Sequence, residues 1–155
     1  MTSNVWIDQT MKEVPGFLGT CSIDKLITPF SFPSYTVVNF SPSFAVGTHF
    51  VSILFLKKNI CLYFDPLKLN YIPDKIINYM HEYCTHVFQI YHAIQSPFSG
   101  FCGFYCLIPI MLHVNELPIV DHIIKFREGV LTNDDICINL LAKLFKYYFT
   151  LRIVK

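Results

Sequence analysis

Two runs of β-type residues around a short polar turn dominate the middle of the chain. His49 to Leu56 and Ile60-Cys-Leu-Tyr-Phe64 flank Lys57-Lys58-Asn59, a pattern that predicts an antiparallel hairpin over 49–64. Tyr35 to Phe40 predicts a strand before it, and Val87 to Ala93 alternates enough to predict one after it. Between them, 73–84 opens with proline and places Ile76, Ile77, Met80 and Cys84 at the spacing of one helix face. Cys102 to Val114 reads as an apolar helix of about three turns behind the turn-rich loop Ser96-Pro-Phe-Ser-Gly100.

The ends are helical as well. Ser3 to Val14 predicts a short helix carrying Trp6, stopped by Pro15-Gly16. Glu116-Leu-Pro-Ile119 breaks the chain after the apolar helix. Asp135 to Tyr148 then predicts a final helix capped by Thr132 or Asn133, with Ile136, Leu140, Leu141, Leu144 and Phe145 on one face. Strands in the middle and helices at both ends predict an α+β fold. Its core is a small central, mostly antiparallel sheet packed against the 102–114 helix, with N- and C-terminal helices. No repeat, low-complexity tract or linker divides the chain, so 1–155 is read as a single domain.

The chemistry sits where these elements meet. Cys102 falls at a helix start, where unpaired N–H groups and the helix dipole stabilise a thiolate and raise its nucleophilicity. The same N–H groups point outward and can hold an oxyanion. His49 begins one strand of the hairpin and Asp65 ends its antiparallel neighbour, which sets base and carboxylate side by side. An imidazole so placed can take the thiol proton while the carboxylate fixes its tautomer. Gln95 leads Cys102 by seven residues (102 − 95 = 7), on the loop that delivers the chain to the helix. Its side chain is a candidate oxyanion donor.

In order along the chain, Gly47-Thr-His49-Phe, Phe64-Asp65-Pro66 and the Gln95 to Cys102-Gly-x-x-Cys106 interval resemble the motifs of the adenovirus-type cysteine proteases, the adenains. Phe17-Leu-Gly-Thr20 and Val38-Asn39 extend the likeness, which runs from about Met11 to about His113. Aspartate stands where that family has glutamate, as in the related ubiquitin-like-protein proteases, and Phe50 stands where it has tryptophan. The resemblance implies a cysteine endopeptidase of a DNA virus or virus-like element. It implies His49, Asp65, Cys102 and Gln95 as catalytic residues, and viral capsid or core precursors cut at small, glycine-rich sites during virion maturation. The alternatives are a protease removing ubiquitin or a ubiquitin-like modifier, and a non-catalytic interaction module derived from the fold. The resemblance also implies an activating peptide and DNA as activators. Cys84 occupies the position of the family's peptide-linking cysteine, eleven residues before the glutamine (95 − 84 = 11). The alternative for Cys84 is that it completes the apolar face of the 73–84 helix.

Composition narrows the rest. The chain is 53% hydrophobic and 15% charged, apolar enough to raise a membrane reading. The longest uncharged apolar stretch, about Phe101 to Leu112, is interrupted by Pro109 and falls well short of the roughly 20 residues a span needs. The first residues carry neither a basic region nor a hydrophobic one, so no signal peptide is expected. The expected location is a virion and the host-cell interior, nucleus or cytoplasm. The six cysteines are accordingly read as reduced thiols, with Cys106 a packing residue one turn after Cys102. His81, Cys84, His86 and His92 have the elements of a zinc site but not the spacing of a finger or ribbon, so no metal is expected. The net charge of +1 gives no nucleic-acid footprint. Lys143, Lys146, Arg152 and Lys155 read as a solvated face that leaves room for weak DNA contact.

Overall fold

The computed structural model describes residues 3–150. Five helices and five strands follow in the order α1 (Asn4–Met11), β1 (Phe17–Ser22), β2 (Ser34–Asn39), β3 (Phe50–Lys57), β4 (Ile60–Phe64), α2 (Asp74–Tyr83), β5 (His86–Ile90), α3 (Cys102–Val114), α4 (Ile119–Ile123) and α5 (Asn133–Thr150). The fold is α+β, with one sheet in the order β1-β2-β3-β4-β5.

The sheet is mixed, not mostly antiparallel. β2·β3 and β3·β4 are antiparallel, whereas β1·β2 and β4·β5 are parallel. The second parallel pair has a plain cause. A strand that returns parallel to its neighbour needs a crossover, and α2 supplies it between β4 and β5. β1 is the strand that hydrophobic alternation did not predict. It sits at the sheet edge, is half-exposed along most of its length, and has a register shift at Gly19, whose φ of +121° favours glycine. The central hairpin closes on Asn59, which takes the left-handed conformation that asparagine tolerates (φ 71°).

Alternation along the strands divides the core in two. Tyr35, Val37, Leu54, Leu62, Phe64 and Ile90 face α3 and α5. Val38, Val51, Ile53, Phe55, Cys61 and Tyr63 face the other way, onto Ile76, Tyr79 and Met80 of α2. α3 is apolar all round because it lies between the sheet and α5, and nine of its residues are buried. That packing offsets Pro109, which lacks the N–H that would bond the Tyr105 carbonyl. Burial of Leu107, Ile108, Ile110, Met111 and Leu112 contributes about 1.5–3 kcal/mol per side chain. The N-terminus of α3 is thereby held rigidly at the end of the sheet where β3 begins and β4 finishes.

Candidate active site

Asp65 follows β4 directly, and its local turn wraps the carboxylate. Oδ1 accepts from the Leu67 N–H at 2.9 Å and Oδ2 from the Leu69 N–H at 3.1 Å, while the Lys68 N–H bonds the Asp65 carbonyl. An aspartate before proline favours such a turn, because its side chain bonds the backbone two residues on. With both oxygens fixed, Oδ1 also accepts from His49 Nε2 at 2.7 Å. Asp65 is 1% exposed and His49 7%, so this pair is screened little by water.

His49 stands one residue before β3, and the ladder reaches it through the Phe40 N–H, which bonds the His49 carbonyl at 2.9 Å. The Phe40 ring meets the imidazole edge-on, 5.2 Å between centroids. Ahead of the histidine, Asn39 Oδ1 accepts from the N–H groups of Ser41 and Thr48, closing loop 41–48. A Cβ on Gly47 would lie 2.2 Å from Asn39 Nδ2, so a side chain there would push the Asn39 amide out of this clamp. These contacts give Asn39 and Gly47 a physical role: they aim the residue that follows them.

Cys102 opens α3 and is partly exposed, and its thiol lines the same cleft as the imidazole, close enough to raise the His49 pKa. Since Nε2 is held by Asp65, Nδ1 is the nitrogen left for the sulfur. Burial is the largest influence on His49 and pulls its pKa down. The hydrogen bonds and charges of Asp65 and Cys102 together outweigh it and raise the imidazolium to about 9. An imidazole with this pKa is protonated at neutral pH, and its positive charge favours a negative sulfur beside it.

Gln95 is 2% exposed and lines the same cleft as His49 and Cys102. Its backbone N–H and that of Ile94 both bond the Pro66 carbonyl at 3.0 Å, so the Asp65-Pro66 turn anchors the glutamine as well as the histidine. The Gln95 amide donates to the Ser99 carbonyl at 2.9 Å, which leaves its second N–H free of that bond. The first N–H groups of α3, at Cys102 and Gly103, have no partner within the helix. The cleft measures about 650 Å³, and its far wall comes from Asn4 and Val5 of α1 and from loop 41–48. A larger groove of about 760 Å³ runs along β5 and α4, away from the Cys102–His49 pair.

Of the expected site residues, four meet here and one does not. Cys84 is 2% exposed, ends α2 on the opposite face of the sheet, and shares the core there with Cys61. A thiol in that position is closed to a peptide's cysteine. The expectation of a disulfide-linked activator at Cys84 is corrected accordingly: the side chain completes a core. Cys106 is fully buried, and burial pushes its thiol well up. Among the described residues no three His, Cys, Asp or Glu side chains are grouped to hold a metal ion. No helix among them is long and apolar enough to cross a membrane. Of the basic residues at the end of the chain, Arg152 and Lys155 lie outside the described residues. Residues that the sequence pattern did not single out, Ser99 and Asp134, contact the loop around Gln95. Asp134 and its neighbour Asn133 look like ordinary helix-capping residues in sequence, which hides any second role.

No protein-family model matches the chain, and no curated relative matches it by sequence. Among solved structures, the chain is similar to the ASFV pS273R protease, with 16% identity and a TM-score of 0.49. The match covers 78% of this chain and 45% of that one, so the chain spans less than half the length of that protease. At that TM-score the likeness carries no argument, and the chemistry of the site rests on its own geometry.

Proposed function

We propose that the protein is a cysteine endopeptidase. The observation that carries this reading is a buried imidazole bonded to Asp65 Oδ1 and sharing a cleft with the Cys102 thiol at the start of an apolar helix. The Cys102 thiolate attacks the scissile carbonyl carbon, and the carbonyl electron pair moves onto oxygen. The Gln95 side-chain N–H and the Cys102 backbone N–H receive that oxyanion. The His49 imidazolium then gives its proton to the departing amine and leaves a thioester on Cys102. Next, His49 takes a proton from water as the water attacks the thioester. Collapse of the second tetrahedral species releases the acid and restores the thiolate.

The substrates proposed are viral precursor polypeptides cut at glycine-rich sites, as the motif resemblance implies. A non-covalent activating peptide belongs to the same proposal. β5 forms one edge of the sheet, and an extended peptide adds to such an edge through backbone pairing. The test sets the purified protein against a fluorogenic peptide amide ending in Gly-Gly, a glycine-rich viral precursor peptide, and a ubiquitin-like fusion. Cleavage of the precursor peptide supports the reading. Preference for the folded ubiquitin-like fusion replaces it with the deconjugating alternative, and no cleavage of any of the three rejects the enzyme.

A further inference from the structure

Two adjacent side chains at the start of α5 grip both ends of the loop that carries Gln95. Asn133 is 1% exposed, and its Nδ2 donates to the Ile94 carbonyl at 2.9 Å and to the Arg127 carbonyl at 2.6 Å. Asp134 Oδ1 accepts two hydroxyl protons, one from Ser99 at 2.8 Å and one from Tyr105 at 2.6 Å. These two hydroxyls belong to different parts of the site. Ser99 is the residue whose carbonyl holds the Gln95 amide, and its Oγ also accepts from the Phe101 N–H at 3.1 Å. Tyr105 is fully buried on α3, one turn after Cys102. Burial first, and then the bond to Asp134, push the Tyr105 phenol up, so it remains a neutral donor.

We infer that Asp134 is a positioning residue for the oxyanion hole. Its carboxylate ties the loop that orients Gln95 to the helix that carries the Cys102 N–H, and so fixes the distance between the two oxyanion donors. The physical basis is the strength of the join. Hydrogen bonds to a carboxylate are shorter and roughly twice as strong as neutral ones. Without Asp134 the Ser99 hydroxyl and the buried Tyr105 hydroxyl each lose an acceptor, and loop 95–101 loses the carboxylate that joins it to α3. This inference rests on the acyl-transfer reading of the site and adds the element that sets its geometry. It acts through Gln95, which separates it from a general contribution to folding.

The experiment compares Asp134→Ala, Asp134→Asn, Gln95→Ala and the Gln95→Ala/Asp134→Ala double variant on the Gly-Gly peptide amide. In parallel, iodoacetamide alkylation of Cys102 is followed, a reaction that forms no oxyanion. Misplacement of a reacting group by about 1 Å costs up to roughly 10²-fold, so Asp134→Ala should lower kcat on the order of 10–100-fold. KM, the rate of alkylation and its pH profile should stay as in the wild type. Asp134→Asn keeps an acceptor oxygen and should recover most of the loss. The double variant should be no slower than Gln95→Ala alone. Multiplicative losses in the double variant, or a parallel fall in alkylation rate, overturn the positioning role while leaving the protease reading intact. No rescue by Asp134→Asn in a variant that melts with the wild type overturns it too. No cleavage by the wild-type protein overturns the protease reading itself, and this inference with it.

Discussion

Cys102 and Cys84 each stand at the end of a helix packed against the sheet, but on opposite faces and at opposite helix ends. Cys102 opens α3, where unpaired N–H groups favour a negative sulfur, and an imidazole held near pKa 9 is its partner. Cys84 closes α2, where the carbonyl end of the dipole disfavours a thiolate. Burial raises the Cys84 pKa further, against hydrogen bonds from the Asn59 backbone and Cys61. The α2 face is a sealed apolar layer, whereas the α3 face ends in an open cleft. The same side chain is therefore a nucleophile candidate in one place and a small hydrophobe in the other. Helix polarity, exposure and the nearest base make the difference, not the spacing of cysteines in the sequence.

The largest expected effect breaks that contrast directly. Cys102→Ala should reduce cleavage on the order of 10⁶-fold, the scale of losing a covalent nucleophile, while Cys84→Ala cleaves at the wild-type rate. Turnover measured beside thermal melts distinguishes lost chemistry from lost fold. Equal losses in the two variants would erase the distinction between the faces.

Gln95→Ala comes next. Removing one oxyanion donor typically costs about 10²–10³ in kcat, and thiol alkylation should be unaffected because the thiolate depends on His49 and the helix. A matching loss of alkylation would make Gln95 a structural residue.

The third expectation concerns pH. His49 is raised from 6.5 to about 9, so the stabilisation it gains from its partners is fully present below pH 6.5 and is lost as pH rises through about 9. Cleavage should fall along the same alkaline limb, because a neutral imidazole has no proton for the leaving amine. Asp65→Asn removes the raising influences of the carboxylate and leaves Cys102 alone to oppose burial, which lowers. The limb in kcat/KM and the loss of melting temperature should both move to lower pH. An unmoved limb would mean that another group sets it.

The smallest effect belongs to the surface. Lys68 and Glu128 pair at 3.2 Å, with Lys68 24% and Glu128 49% exposed. Glu128→Gln should leave the midpoint of a denaturant titration almost where it is, because an exposed pair is screened by solvent and salt, and leave cleavage untouched.

Much of the molecule was legible because local rules agreed with the global fold. The hairpin, the apolar helix from Cys102 to Val114 and the Asp-Pro turn each have a short-range signature, and together they bring His49, Asp65 and Cys102 to one place. The features that escaped depend on distant partners. β1 is recognisable only through its pairing with β2, since Gly19, Thr20 and Ser22 spoil its alternation. The parallel return of β5 was implied by the strand–helix–strand order around α2, yet the periodicity of 86–90 says nothing about strand direction. α4 spans only five residues, too few for a helical period to emerge. The clasp of Asp134 on Ser99 and Tyr105 joins residues 35 and 29 positions apart, where no motif spacing could point.

If the site works as proposed, Cys102 alone among the described cysteines is activated. The direct measurement treats the native protein at neutral pH with a substoichiometric glycine-rich peptide carrying a thiol-directed warhead, then digests it and maps the adduct. Label should fall on Cys102, with none on Cys21, Cys61, Cys84, Cys106 or Cys137, and labelling should be lost in His49→Ala. Label distributed over several cysteines, or Cys102 reacting no faster than in the unfolded chain, would contradict that activation.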